Sequence, residues 1–136
     1  MIKPIMKSEF FLRLPSEDAG PDDAATGQDL LDTLHEHERE CVGLAANMIG
    51  VRKRIICVKD GNRTLLMYNP QILEQVNAYQ TSEGCLSLTG ERPCTRYRRI
   101  KVEYLDENFV HRIKNFSGYT AEIIQHEIDH CTGIVI

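Results

Sequence analysis

The chain has 136 residues, which suits one domain with a modest core. Its composition, 42% hydrophobic and 26% charged, is that of a soluble globular protein. A formal net charge of −4 offers no basic excess for nucleic acid or an anionic membrane, and no apolar run approaches the roughly 20 residues of a spanning helix.

The N-terminal stretch is a poor signal peptide, because Glu9, Arg13, Glu17 and Asp18 interrupt or follow its short apolar run. The expectation is a cytoplasmic protein. Five cysteines (Cys41, Cys57, Cys85, Cys94 and Cys131) are an odd number without a secretory signal, so a disulfide framework is not expected. Each is free to be core, ligand or nucleophile.

Residues 15–23 carry two prolines, a glycine and four acids and read as a loop. Residues 26–40 read as an amphipathic helix with Leu30, Leu31 and Leu34 on its apolar stripe. The segments 54–59 and 64–69 read as strands of a hairpin turning at Asp60, Gly61 and Asn62. Further strands are expected over 69–75 and 100–106, the latter with Ile100, Val102 and Tyr104 on one face. A turn at Asp106, Glu107 and Asn108 leads to a return strand over 109–116. The last element is a helix, with Ser117 as its N-cap and Gly133 as its stop. Strands first and helix last predict an α+β fold in one domain, 1–136, with antiparallel sheet.

Three segments carry chemistry. In Gln125-His126-Glu127-Ile128-Asp129-His130 the two histidines are four apart, so a helix would put both imidazoles on one face, able to grip one metal ion. Glu127 then stands where it can move protons as general acid and base. Asp129 could orient a ligating histidine or cap another group, or be a solvated acid. A catalytic metal site needs a third ligand, and Cys85 in Glu83-Gly84-Cys85-Leu86-Ser87 would complete a Cys-His-His set. Taken alone, a cysteine is more often a small buried hydrophobe, as Cys57 is expected to be. The third segment, Gly43 to Gly50, is rich in small residues; it could bring backbone close to a bound peptide, or serve only close packing.

In order and separation these segments resemble the three signatures of the peptide deformylases. The second and third signatures are intact at 83–87 and 125–130, and the first stands as Cys41-Val42-Gly43-Leu44-Ala45-Ala46-Asn47-Met48. The resemblance implies antiparallel sheets around a central helix bearing H-E-x-x-H. It implies removal of the formyl group from formylmethionyl peptides, close to the ribosome that makes them. It implies one divalent ion on Cys85, His126 and His130: Fe²⁺ in the cell, with Zn²⁺ or Ni²⁺ able to replace it. Glu127 would be the general acid and base, aided by the backbone N–H of Leu86. Gly43 and Leu44 would offer backbone to the peptide beside Glu83 and Gly84, and Glu83 would pair with Arg96. Arg92 is expected at the mouth.

Two positions depart from the pattern. Cys41 stands where the family has glycine, and Met48 where it has the glutamine that donates to the oxyanion. A thioether cannot donate a hydrogen bond. A deformylase with an altered first motif and a metal binder with weak or no activity both follow from this. A zinc peptidase of another fold would need only the two histidines and Glu127.

Overall fold

The computed structural model describes all residues, 1–136, as one five-stranded antiparallel sheet with helices packed on it. The strands are β1 (Gly43–Ala45), β2 (Ile55–Asp60), β3 (Arg63–Glu83), β4 (Arg92–Leu105) and β5 (His111–Ser117), in that spatial order. The helices are α1 (Glu9–Leu12), α2 (Ala24–Glu36) and α3 (Gly118–Cys131). The expected α+β architecture is present.

The β2–β3 hairpin is the one expected. Ile55 faces Tyr68 and Asp60 faces Arg63 across a two-residue turn. Gly61 alone supplies the positive φ, 61°, that such a turn needs at its first position. Beyond Tyr68 the sequence suggested two strands, 64–69 and 69–75, but they are one. Asn69 takes a φ of 53°, and the pairing with β4 slips between Tyr68 and Gln71 and again between Ile72 and Glu74. Pro70 has no N–H to give the ladder, so the chain bulges there and continues. β3 then runs on to Glu83, and β4 begins at Arg92, eight residues before the strand read from sequence. Extended pairing thus carries the β3–β4 ribbon as far as Glu83 opposite Arg92.

α2 stops at Glu36 instead of reaching residue 40. Its apolar stripe ends at Leu34, so the following turn has nothing left to bury. α1, not foreseen, is a single turn capped by Ser8, whose Oγ accepts from the Phe11 N–H at 3.2 Å.

α3 lies against the sheet. Ala121, Ile124, Ile128 and Cys131 join the core with Leu30 and Leu34 of α2 and Ile56, Val58 and Met67 of the sheet. Ser117 precedes the helix as expected, but its hydroxyl makes no capping bond. Gly133 closes it, donating to the His130 carbonyl at 3.1 Å with a φ of 81°. β5 pairs with β4 only from Arg99 to Leu105. At Tyr97 the Gln125 side chain takes over as a strand would: its Oε1 accepts from the Tyr97 N–H at 2.9 Å and its Nε2 donates to the Tyr97 carbonyl at 2.8 Å. That amide holds α3 in register on β4.

No helix of the chain is long and apolar enough to cross a membrane.

Candidate metal centre and active site

His126 and His130 lie one turn apart on the buried face of α3, with Nε2 atoms 3.1 Å from each other. Two nitrogens at about 2.0–2.1 Å from one tetrahedral ion stand about 3.3 Å apart, so the pair is spaced for a shared metal. The ring directions agree. His126 Nδ1 lies 2.8 Å from Glu83 Oε1. An ionised carboxylate only accepts, so Nδ1 carries a proton, and Nε2, the nitrogen turned towards His130, presents a lone pair when the ring is neutral.

Glu83 is held by a buried chain of charge. Arg96 donates through Nε to both its oxygens, at 3.1 and 3.0 Å, and through Nη2 to Oε1 at 2.7 Å. Its Nη1 donates to Asp129 Oδ2 at 2.7 Å. Burial works against a charged Glu83, yet bonds from His126 and Arg96 override it and hold the carboxyl well below the usual range. His126 is affected in the opposite sense: burial disfavours its charge, but Glu83 more than offsets this and raises it. His130, fully buried, is pushed down to about 3 by burial and then by the charges of His126 and Arg96. Asp129, considered above as an orienter of a histidine, is the second anchor of Arg96 instead.

Glu127 is 4% exposed, and its Oε1 has no partner within the protein. Burial raises its carboxyl to about 7, in the range where a group both takes and gives protons at neutral pH. It lines a cavity of about 640 Å³ together with Cys85, His126, Gly43, Met48 and Leu86. The three sequence segments therefore meet in one place.

Potential ligand atoms on His126, Glu127 and His130 lie within 4.8 Å of one another; Cys85 is outside that tight group, though it lines the same cavity. It sits in the loop between β3 and β4, where Lys7 Nζ donates to the Leu86 carbonyl at 2.7 Å. A thiol and two convergent imidazole nitrogens suit Fe²⁺ or Zn²⁺. The unpartnered Glu127 Oε1 is a buried polar atom that a loaded site could engage.

Cys41, Val42, Gly43 and Met48 of the first motif line the cavity as well. β1 is an edge strand, paired only with β2 through Gly43–Val58, Leu44–Cys57 and Ala45–Ile56. Its other edge is free to pair with an extended peptide. A Cβ on Gly43 would stand 2.7 Å from Ile123 Cγ2 and 3.0 Å from Glu127 Oε2. Met48 is buried, with its sulfur 3.5 Å from the Ala45 N–H, and half-buried Cys41 lines the cavity beside it. Burial, then the charge of Glu127, pushes the Cys41 thiol up to about 11.

Arg92, expected at the mouth, starts β4 and does not line the cavity. Sequence reasoning passed over Glu40, Glu91, Tyr119 and Glu122, which do. Of these, Glu122 carried a usable signal: it lies four residues before His126 on the same helix, and hence on the same face.

The family model described as polypeptide deformylase matches residues 6–136. A peptide deformylase of Clostridium beijerinckii is 52% identical over 136 residues, covering all of both chains. Among solved structures, a peptide deformylase of Thermotoga maritima superimposes with a TM-score of 0.89 at 28% identity, covering 99% of this chain and 95% of that one. A class I type b peptide deformylase of Acinetobacter baumannii with Met-Ala-Ser bound gives a TM-score of 0.87 at 30% identity, with coverages of 99% and 97%.

Proposed function

Since this chain belongs to the polypeptide deformylase family, we propose that it removes the formyl group from the N-terminal formylmethionine of new polypeptides, with Glu127 as general acid and base. The observation that carries this reading is the convergent pair of imidazole nitrogens beside a buried carboxyl that opens into a peptide-sized cavity.

Cys85, His126 and His130 would hold one divalent ion, which supplies the Lewis acidity that polarises the formyl carbonyl and acidifies a water molecule. We read that ion as Fe²⁺ in the cell. The protein's own groups do the rest. The free edge of β1 takes the peptide backbone at Gly43 and Leu44. Glu127 accepts the proton of the attacking water and delivers it to the leaving amine, which departs as formate is released. The Leu86 N–H, which makes no backbone hydrogen bond, is available to the oxyanion. Glu83 and Arg96 keep His126 in the correct tautomer, with Gly84 leading into the ligand loop. The full-length likeness to a named deformylase supports an active enzyme over a silent metal binder. We read it as a cytoplasmic enzyme that meets its substrates near the ribosome.

The test is formate release from formyl-Met-Ala-Ser by anaerobically purified, Fe²⁺-loaded protein, beside Glu127→Ala. Turnover that the variant lacks is expected. Equal rates for the two would exclude Glu127 from the chemistry, and no turnover by the loaded protein would overturn the reading.

A further inference from the structure

Asn47 stands between Ala46 and Met48 in a single 3₁₀ turn that follows β1, and only 1% of it is exposed. A buried amide needs partners at both ends. Its Nδ2 has them: it donates to the His130 carbonyl at 2.9 Å and reaches the Leu12 carbonyl at 3.5 Å. Two carbonyl oxygens on one side fix the orientation of the amide, since a flipped side chain would set oxygen against oxygen. Oδ1 is therefore the free end, and it is buried without a partner.

The residue that Asn47 holds has the complementary deficit. His130 is fully buried, and its Nε2 lies 3.1 Å from that of His126, on the side where a shared ion would sit. A histidine that gives Nε2 to a metal carries its proton on Nδ1, and such an N–H almost always donates to a neighbouring acceptor. For His126 that acceptor is Glu83, at 2.8 Å. His130 Nδ1 is buried and has none. Buried acceptors without a partner stand on Ser16, Asn47, Ser87 and Glu127, and of these side chains only Asn47 is bonded to His130.

We infer that Asn47 is the positioning residue of His130: its Oδ1 takes the Nδ1–H of the metal-binding tautomer, directly or across one enclosed water molecule, while its Nδ2 keeps the backbone of the same residue in place. This rests on the metal-binding reading of His130. The two histidines are then held from behind by different chemistry, a carboxylate for His126 and a neutral amide for His130. The amide orients its ring without burying a second anion.

The experiment measures Zn²⁺ affinity, by competition with a chromophoric chelator, for the parent, Asn47→Leu and Asn47→Asp. Long-range ¹H–¹⁵N NMR of the Zn²⁺-loaded proteins assigns the imidazole nitrogens. In the parent, His130 is expected to be protonated on Nδ1, with that proton slow to exchange. Asn47→Leu keeps the branched shape but offers no acceptor; it should bind Zn²⁺ about ten- to a hundredfold more weakly and lose the slow proton. Asn47→Asp restores an acceptor and should recover most of the affinity. A part limited to bracing the His130 carbonyl would leave Asn47→Asp as weak as Asn47→Leu, because a carboxylate has no N–H to give, and that result overturns the inference. So does a parent whose His130 is protonated on Nε2, or an Asn47→Leu variant that keeps both the affinity and the slow proton; the metal-binding reading stands in each case. If the parent takes up no Zn²⁺, that reading fails and the inference with it. Should Asn47→Leu not fold, the parent decides: a slow Nδ1 proton on His130 supports the inference, and a rapidly exchanging one overturns it.

Discussion

Gly43 and Glu127 approach so closely that no side chain fits between them: a Cβ on Gly43 would lie 3.0 Å from Glu127 Oε2 and 3.2 Å from the Cys57 carbonyl oxygen. The glycine is needed here for space, because its own strand is regular. Gly43→Ala is expected to cost about 1–3 kcal/mol by overpacking and to lower kcat/KM more than the stability loss alone would. Thermal melts beside formate-release assays check this. A variant with full activity would show that Ile123 and Glu127 can move aside freely.

Met48 offers the converse case. Its sulfur takes the Ala45 N–H at 3.5 Å, a weak acceptor for a buried donor. Glutamine has nearly the same length, and its Oε1 would take that N–H better, leaving an Nε2 donor for the cavity. Met48→Gln is expected to raise kcat/KM by about tenfold or more, within the 10²–10³ that one oxyanion donor supplies. An unchanged rate would show that another group already fills the role.

The ion chain behind His126 predicts a stability effect. Arg96 is 4% exposed and bonds to two carboxylates. Arg96→Gln leaves Glu83 buried with little compensation, and breaking such a pair costs about 3–5 kcal/mol. Urea unfolding at neutral pH measures it. A loss below about 1 kcal/mol would mean that the chain acts as an exposed pair does.

A pH dependence is expected at the β4–β5 turn. Asp106 Oδ1 accepts from the N–H groups of Asn108 and Val110 at 2.9 and 3.0 Å, and Oδ2 from Arg112 Nε at 2.9 Å. The Val110 bond first, then Arg112, holds this carboxyl below its ordinary 3.8. A group lowered in the folded state stabilises above its unfolded value, and that contribution is lost as pH falls through the folded one. Asp106→Asn should therefore melt earlier than the parent at pH 7, with the gap narrowing below about pH 4. A gap independent of pH would refute the assignment.

What could be read in the sequence depended on how locally each feature is determined. α3 and the β2–β3 hairpin were legible because their apolar periodicity and turn residues lie within a few positions of one another. The outer half of β3, with exposed Val76 and polar neighbours, shows no period. It is a strand because β4 pairs with it, and β4 is anchored in turn by Gln125 and Arg96 to a helix about 30 residues on. Cys85, His126, His130 and Glu127 stood out because their residue types and spacings are rare in combination. Glu40, Glu91 and Glu122 looked like solvated acids. Only the fold gathers them around one opening.

Both imidazoles of the centre ride on one buried helix, whereas Cys85 sits at the tip of the long β3–β4 ribbon, with Lys7 on the adjoining carbonyl. Of the three proposed ligands, two therefore come from a helix packed into the core and one from a loop held by a single side chain, so local opening of that loop would displace the third ligand while leaving the helical pair in place.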